Sequence, residues 1–281
     1  MCRWMGWHGQ PVLIEELLFN TEHGLVDQSL HSRMGAETTN GDGFGLGWYG
    51  LGDGPGIYRS VQPAWGDRNL RCLAGHISSP LFLAHVRATT GTAIQQTNCH
   101  PFAYGDWLFV HNGLVNEFAH VRRELMLGLD PESFAAIEGS TDSEVVFHLA
   151  LANGLEHDPL GALERTIGLI EETQRRHGIA PAIQASIGVT DGATLWAVRY
   201  SSEHNSRTLF RSEDAEAVRR LHPENERIQR LLDSDRIIVS EPLGDLTGAW
   251  HELEESSTLK IHPGGEAESG SFTPLAPSRA S

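Results

Sequence analysis

The sequence contains no long apolar run. No stretch reaches the roughly 18 consecutive apolar residues that a membrane-spanning helix needs. The first residues, MCRWMGWHGQP, also lack the apolar segment of a secretory signal peptide. These absences argue against a membrane-anchored or secreted protein, and they predict a cytoplasmic location.

Cysteine is scarce, and basic residues are outnumbered by acidic ones. The cysteines at 2, 72 and 99 are odd in number and have no CxxC spacing, which argues against a disulfide framework. Lys and Arg total 21 against 37 Asp and Glu, so the net charge is −16. A surface this acidic repels nucleic acid and anionic membranes, and neither is expected as a partner.

The 281 residues are 40% hydrophobic, a globular composition long enough to bury a sizeable core. Periodicity and turn signals predict strands at 2–8, 41–50, 81–87, 182–190, 194–200, 207–211, 235–241, 249–253 and 257–262, and a hairpin around Gly105-Asp106. They predict helices at 67–77, 117–127, 140–155, 159–177 and 213–221, and a short helix that opens at Pro11.

The order of these elements predicts the fold class. Strands and helices come in blocks rather than in strict alternation, which favours a layered α+β fold in one domain over residues 1–262. From Pro263 onward the chain is rich in Gly, Ser, Pro and Glu. Residues 263–281 are therefore predicted to form a disordered tail.

A glycine-rich segment, GDGFGLGWYG, occupies residues 41–50 and contains the pattern GxGxxG. A nucleotide-binding loop of this pattern must open a helix, whereas here β-forming residues lead into a Pro/Gly turn. We therefore interpret the segment as a strand. Phe44, Leu46 and Trp48 would fall on one face and glycine on the other, which allows close approach of another group.

Cys2 follows the initiator methionine, which is commonly removed before a small second residue. The mature chain would then carry a thiol and a free α-amine on one residue. An α-amine with a pKa of about 7.7–8.0 can accept the thiol proton near neutral pH, so such a nucleophile needs no separate His or Asp. The alternative is an ordinary cysteine at a frayed end.

Two further segments carry groups suited to stabilising charge. Asn112 and Gly113 follow the apolar run WLFV, and an amide with a following backbone N–H supplies two donors for an oxyanion. An Asn-Gly turn at a strand end is the alternative. Arg87 ends a predicted strand and can hold a carboxylate through two hydrogen bonds, the alternative being a structural ion pair.

Asp142 lies in the segment STDSE, at the start of a predicted helix. Thr141 and Glu144 have the spacing of a capping box, and an acid in the first turn is favoured by the helix dipole. Helix capping alone therefore explains an acidic residue here, although the same carboxylate could also hold a substrate ammonium.

Fifteen histidines raise the alternative of a metal site. No HxH, HExxH or paired Cys/His spacing occurs. His85, His100 and His111 fall in the same third of the chain and could form a site in three dimensions. Structural histidines with hydrogen-bond partners are the alternative.

Taken together, these segments resemble the class II, N-terminal-cysteine glutamine amidotransferases of the Ntn-hydrolase superfamily. In chain order the similar motifs are MCR, NGDGFGLGWY, AHVRATTG, TNCHPF, HNGLV and STDSE, which span residues 2–144. The stretch Ser240-Glu241-Pro242 also looks like the family. MCRWMGW, QPAWGD and VSEPL are most similar to its standalone branch, which includes the γ-glutamyl amidohydrolase of ergothioneine synthesis.

The resemblance implies a four-layer αββα sandwich of the Ntn-hydrolase type and a chemistry without cofactor or metal. It implies that Cys2 is the nucleophile and that its α-amine is the base. Asn112 and Gly113 would form the oxyanion hole.

The resemblance also implies how a substrate is held. Arg87 would bind the α-carboxylate of a γ-glutamyl group, Asp142 would bind its α-amine, and Thr90 would belong to the same substrate-binding set. One departure concerns Ala88, because synthase-type members carry Trp directly after the Arg. This changes the pocket wall and leaves the identity of the leaving amine open.

The sequence therefore predicts a γ-glutamyl amide hydrolase. It would act on glutamine or another γ-glutamyl amide and release glutamate and an amine or ammonia through a γ-glutamyl thioester. The length leaves no room for a large synthase domain, so the alternative is a glutaminase subunit that passes ammonia to a separate synthase. A binding protein without activity and a homo-oligomeric state also remain open.

Overall fold

The computed structural model describes residues 2–34, 39–89, 91–213, 215–245 and 248–276. The strands are β1 (Arg3–Leu13), β2 (Phe44–Trp48), β3 (Gly56–Ser60), β4 (Ser78–Val86), β5 (Phe102–Tyr104), β6 (Trp107–Val115), β7 (Ile183–Thr190), β8 (Leu195–Ser201), β9 (Phe210–Ser212), β10 (Arg236–Val239), β11 (Trp250–Glu252), β12 (Ser257–Ile261) and β13 (Ala267–Ser271).

The helices are α1 (Ile14–Leu18), α2 (Leu25–Leu30), α3 (Arg68–Ala74), α4 (Phe118–Leu127), α5 (Pro131–Ala135), α6 (Asp142–Ala152), α7 (Pro159–Arg176) and α8 (Glu216–Leu221). Short 3₁₀ turns lie at Ala64–Gly66, Gln96–Asn98 and Ile228–Arg230. Within the described ranges, no helix combines the length and the apolar character required to cross a bilayer.

The strands pair in two antiparallel sheets. Their orders are β11-β9-β10-β1-β4-β2-β3 and β13-β12-β8-β7-β6-β5. The hairpin predicted around Gly105-Asp106 is confirmed, since β5 and β6 pair across it. Strand β1 is the centre of the first sheet, because it pairs with β4 on one side and with β10 on the other.

Three apolar clusters define four layers. One cluster joins the first sheet to α1, α2, α3 and α8, and another joins the second sheet to α4, α6 and α7. The third lies between the two sheets and includes Trp4, Leu83, Leu108, Val110, Leu195, Ala197, Ile238, Leu259 and Ile261. The predicted four-layer αββα sandwich is therefore confirmed.

The short helix predicted to open at Pro11 begins later. Strand β1 continues to Leu13, and α1 begins at Ile14. Pro11 is exposed and lies where the pairing of β1 with β4 shifts register, between His8 and Val12. Proline donates no backbone hydrogen bond, so an irregular stretch of strand accommodates it without loss.

The disordered tail predicted from Pro263 is wrong for the residues that the structure describes. Strand β13 pairs with β12 in a regular antiparallel register, although every residue of β13 is exposed. Phe272, which follows it, is 2% exposed, and its ring centroid lies 5.3 Å from that of Tyr200. One buried aromatic side chain therefore anchors a segment whose composition is polar. Residues 277–281 lie outside the described ranges.

The glycine-rich strand has the predicted two faces. Phe44 and Leu46 are buried in the cluster that contains α1, α2, α3 and α8. A Cβ on Gly45, on the opposite face, would collide with the backbone carbonyl oxygen of His100. The absence of a side chain at this position allows the segment after β4 to approach the sheet.

We expect Gly45→Ala to destabilise the protein because backbone atoms must move to admit the new methyl group. The free energy of unfolding, measured in urea, should fall by on the order of 1–3 kcal/mol. Gly52→Ala is the control, since Gly52 is exposed and a Cβ there has open space around it. Equal stability of the two variants would contradict the close approach.

Candidate active site

Cys2 lies at the end of the first sheet, directly before β1. Arg3 is paired with Val86, the last residue of β4. Because the two strands are antiparallel, the residue before Arg3 lies beside the residues that follow Val86. The Cys2 Sγ lies 3.5 Å from the carbonyl oxygen of Ala88 and donates a hydrogen bond to it. The sheet register thus brings together Cys2 and the segment at Arg87.

The Cys2 thiol is protonated in its resting state. Burial raises its pKa, and this outweighs the opposite effects of the Ala88 backbone and of the positive charges on Arg87 and Arg3. Guanidinium groups cannot accept a proton in proteins. A thiol in this environment therefore needs a base to become a nucleophile.

Arg87 makes no ion pair within the described residues. Its guanidinium donates to the Asp42 carbonyl at 3.3 Å, to Thr92 Oγ1 at 2.6 Å and to the Ala93 carbonyl at 3.2 Å, all of which are uncharged. The side chain is nonetheless almost completely buried. The structural ion pair considered from the sequence is therefore wrong, and a positive charge is held in place without a carboxylate.

Asp142 presents the opposite situation, a carboxylate without a cation in the described part of the chain. It is the first residue of α6, and its oxygens accept hydrogen bonds from the backbone N–H groups of Val115 at 2.7 Å and Ser143 at 2.8 Å. These neutral donors fix its position at the end of β6 and leave its charge uncompensated.

Of the two hydrogen bonds that the predicted capping box requires at the start of α6, only one is present. Thr141 Oγ1 accepts from the Glu144 N–H at 3.2 Å, which confirms Thr141 as the cap. The Glu144 carboxylate accepts instead from the N–H groups of Glu138 and Gly139, both at 2.8 Å. The reciprocal half of the capping box is thus replaced by a bond that ties down the preceding loop.

Asn112 and Gly113 lie within β6, which continues to Val115, so the strand-end turn considered from the sequence is wrong. They face Ser186 and Ala185 of β7 in register. The Asn112 side chain is 3% exposed and makes no hydrogen bond to any described residue. A Cβ on Gly113 would collide with the backbone carbonyl of Gln184. This part of the strand therefore has one unused amide and one position restricted to glycine.

The three histidines considered as a metal site come close to one another, but they do not form such a site. The rings of His85 and His100 lie with their centroids 4.2 Å apart and their planes inclined by 33°. His111 uses both ring nitrogens, one with Ser143 Oγ at 2.9 Å and the other with the Gln184 carbonyl at 3.1 Å. Across the described residues, no group of three or more His, Cys, Asp or Glu is placed to hold a metal ion.

Burial keeps these histidines uncharged. Burial, with the nearby charge of Arg87, lowers the pKa of His85 to about 3. Burial likewise lowers the pKa of His100. It also lowers the pKa of His111, although the negative charge of Asp142 acts to raise it. The site therefore keeps the positive charge of Arg87 without further cations from its histidines.

A buried ion pair positions Cys2 from the other side of β1. Arg3 Nε lies 3.0 Å from Glu241 Oε2, and both side chains are almost completely buried. Arg3 Nη1 also donates to the Cys2 carbonyl at 2.9 Å. Glu241 thus fixes the backbone at Cys2 through Arg3.

Further hydrogen bonds converge on the Glu241 carboxylate. His23 Nε2 lies 2.6 Å from it, Ser32 Oγ lies 2.9 Å from it, and the backbone N–H of Arg33 lies 2.8 Å from it. Burial opposes ionisation of Glu241, but these bonds outweigh burial and hold its pKa at about 2. Burial would also lower the pKa of His23, yet its bonds to Glu241 and Asp27 raise it.

The sequence did not reveal the role of Arg3 and Glu241. They are 238 residues apart, and neither lies in a pattern that signals an ion pair. The only signal was that the stretch around Glu241 looks like the family. Thr90, predicted as a substrate-binding residue, lies outside the described ranges.

A comparison with families of known proteins decides the relationship. Residues 19–269 match the family described as class-II glutamine amidotransferases. The chain belongs to the class-II glutamine amidotransferases. This amidotransferase is 33% identical to the probable glutamine amidotransferase DUG3 of Saccharomyces cerevisiae, over 93% of its own length and 82% of that protein.

Two more proteins show the same relationship. The amidotransferase is 34% identical to the gamma-glutamyl-hercynylcysteine sulfoxide hydrolase of Mycolicibacterium smegmatis, over 69% of its own length and 81% of that protein. The solved structure of a glutamine aminotransferase class-II domain protein from Silicibacter pomeroyi superposes with a TM-score of 0.73. It is 35% identical and covers 98% of this chain and 100% of that one.

We expect Glu241→Gln to destabilise the amidotransferase by on the order of 3–5 kcal/mol at neutral pH, because Arg3 loses its partner in a buried pair. The native pKa of about 2 lies below the ordinary value of about 4.3, so ionised Glu241 stabilises the fold. The advantage of the wild type is complete above pH of about 4.3 and shrinks as the pH falls toward 2.

Urea unfolding at several pH values measures this difference. Asp245→Asn is the control, since Asp245 is 83% exposed and pairs with the half-exposed Arg33. Exposed pairs contribute little, so this variant should remain close to the wild type. A stability difference between E241Q and wild type that stayed constant with pH would show that the charge of Glu241 is not what stabilises the fold.

Proposed function

We propose that this amidotransferase is a γ-glutamyl amide hydrolase with Cys2 as its nucleophile. The observation that carries the proposal is the juxtaposition at the end of β1. There the half-buried Cys2 thiol lies beside the segment of Arg87, whose charge no described carboxylate neutralises. The hydrolase and amidotransferase names of the relatives support the same reaction class.

The charges of the site fit the amino-acid head of a γ-glutamyl group. Arg87 binds its α-carboxylate, because a fixed guanidinium without an acidic partner favours an anionic ligand. Asp142 binds its α-ammonium, because its carboxylate is held by neutral donors alone. Thr90 belongs to this binding set on the strength of the motif AHVRATTG.

The thiol is activated by the α-amine of the same residue once Met1 has been removed. The protonated resting state of the thiol requires such an acceptor. The amine takes the Sγ proton while Sγ attacks the γ-carbonyl carbon. When the tetrahedral intermediate collapses, the C–N bond breaks and the departing nitrogen takes the proton from the α-ammonium, which leaves a γ-glutamyl thioester.

Water completes the cycle. The α-amine removes a proton from the water as it attacks the thioester carbon, the C–S bond breaks, and the proton returns to the thiolate as glutamate leaves. In both steps the carbonyl oxygen becomes an anion. Asn112 and Gly113 donate to it, and the unused side-chain amide of Asn112 is the group suited to this task.

The alternative is a glutaminase subunit that delivers ammonia to a separate synthase. Hydrolysis is favoured because Ala88 stands where, by resemblance, synthase-type members have Trp, and a smaller side chain leaves room for a larger leaving amine. A homo-oligomeric state is compatible with either function.

We also propose that residues 1–262 form one domain, and the packing of Phe272 supports extending it to 276.

We propose a cytoplasmic location as well. The nucleophile must remain a free thiol, and reducing compartments preserve free thiols. All three cysteines are unpaired in the structure.

A glutamine-analogue alkylator tests the assignment of Cys2. We expect intact-mass analysis to show a chain without Met1 that carries one label, and peptide mapping to place the label on Cys2. Cys72 is more exposed than Cys2, so a reagent guided by exposure alone would modify Cys72 first. Cys72→Ala should be labelled like the wild type and Cys2→Ala should not. Labelling of Cys72 together with retained Met1 would contradict the proposed nucleophile.

Asp142→Asn tests the recognition of the α-ammonium. A charge-assisted hydrogen bond contributes about 1.5–3 kcal/mol, so wild-type kcat/KM for γ-glutamyl p-nitroanilide should exceed that for glutaryl p-nitroanilide by about 10- to 100-fold. The variant should lose most of this preference, whereas Asp245→Asn should keep it. If D142N retained the wild-type preference, Asp142 would not be the ammonium ligand.

A further inference from the structure

A second guanidinium without an acidic partner lies at the same end of the sheet as Cys2. Arg207 belongs to the segment that leads into β9. Strand β9 pairs with β10 at Phe210 and Val239, and β10 pairs with β1 at Val239 and Met5. Because these pairs are antiparallel, the beginning of β9 and the beginning of β1 point to the same edge.

Hydrogen bonds hold the backbone on both sides of Arg207. Thr208 Oγ1 donates to the Ser240 carbonyl at 2.9 Å, and the Ser240 N–H donates to the Trp4 carbonyl at 3.0 Å. Before Arg207, the Ser206 N–H donates to the Glu255 carboxylate at 3.1 Å. The side chain of Arg207 therefore projects from a backbone fixed relative to β1.

The charge of Arg207 is not neutralised within the described residues. It is half-buried, and its Nε is buried without a hydrogen-bond partner. Burial lowers its pKa, the positive charge of Arg3 lowers it further, and the Cys2 thiol acts in the opposite direction. Arg207 thus lies at the same end of the sheet as the nucleophile, and in the described part of the chain no carboxylate compensates it as Glu241 compensates Arg3.

The γ-glutamyl head has no further anionic group that could bind Arg207. It has one carboxylate and one ammonium, and the proposed function assigns these to Arg87 and Asp142. An anion bound by Arg207 would therefore come from the other side of the amide bond that is cleaved. Glutamine has no such anion, because its leaving group is ammonia.

We propose that Arg207 binds a carboxylate on the leaving amine, so that the preferred substrates are γ-glutamyl derivatives of amino acids or peptides rather than glutamine. This inference rests on the proposed function, since it takes the γ-glutamyl head to be bound at Arg87. The small side chain of Ala88 is consistent with a leaving group of this size.

Two matched substrates test the inference: γ-glutamylglycine and γ-glutamylglycinamide, which differ only in the terminal carboxylate. We expect wild-type kcat/KM to be higher for γ-glutamylglycine by about 10- to 100-fold, as a charge-assisted hydrogen bond implies. Arg207→Gln should reduce this ratio toward one. Arg207→Lys, which keeps the charge but not the two-pronged geometry, should give an intermediate ratio.

Arg211→Gln is the control, because Arg211 lies in β9, the strand that follows Arg207, and pairs with Glu213. It should keep the wild-type ratio. Cys2-dependent hydrolysis of both substrates, with the same ratio in wild type and R207Q, would overturn the role of Arg207 and leave the proposed function intact. Hydrolysis of neither substrate by the wild type would overturn the proposed function, and this inference with it.

Discussion

The arrangement of the site depends on the pairing of β1 with a neighbour on each side. Because β4 runs antiparallel to it, the end of β4 delivers Arg87 and Ala88 to the beginning of β1. Because β10 does the same on the other side, Glu241 arrives where it can pair with Arg3. A shift of one residue in either pairing would turn these side chains to the opposite face of the sheet. Trp4, fully buried between the sheets, helps to fix the register.

The charges around Cys2 contrast with those of the chain as a whole. The protein carries a net charge of −16, yet the charged side chains that act on the pKa of the thiol are arginines. Only one of them, Arg3, is paired with an acid in the described residues, and this pair positions the backbone at Cys2. The others are held by carbonyls and hydroxyls or, at Arg207 Nε, by no partner. An excess of acid elsewhere thus coexists with positive charge around Cys2, which suits the anionic groups of a ligand.

Local patterns predicted much of this structure, and pairing between distant segments explains what they missed. The alternation of glycine with bulky residues in β2 and the Gly105-Asp106 turn are encoded within a few residues, and both were interpreted correctly. The family motifs likewise indicated Cys2, Arg87 and Asp142 as candidates. The Arg3–Glu241 pair joins residues that are 238 positions apart, so no local pattern indicates it. The order of β13 comes from its pairing with β12 and from the burial of Phe272, neither of which composition alone could indicate.

Strand β13 affects how the protein behaves toward other copies of itself. It covers β12, in which Leu259 and Ile261 are buried, with a ladder of small and charged residues. An uncovered strand with apolar residues offers unpaired backbone groups to any strand that approaches it, and this is a common origin of aggregation. Glu268 and its serine and glycine neighbours make a poor template for such pairing. Strand β13 therefore gives the second sheet a polar edge.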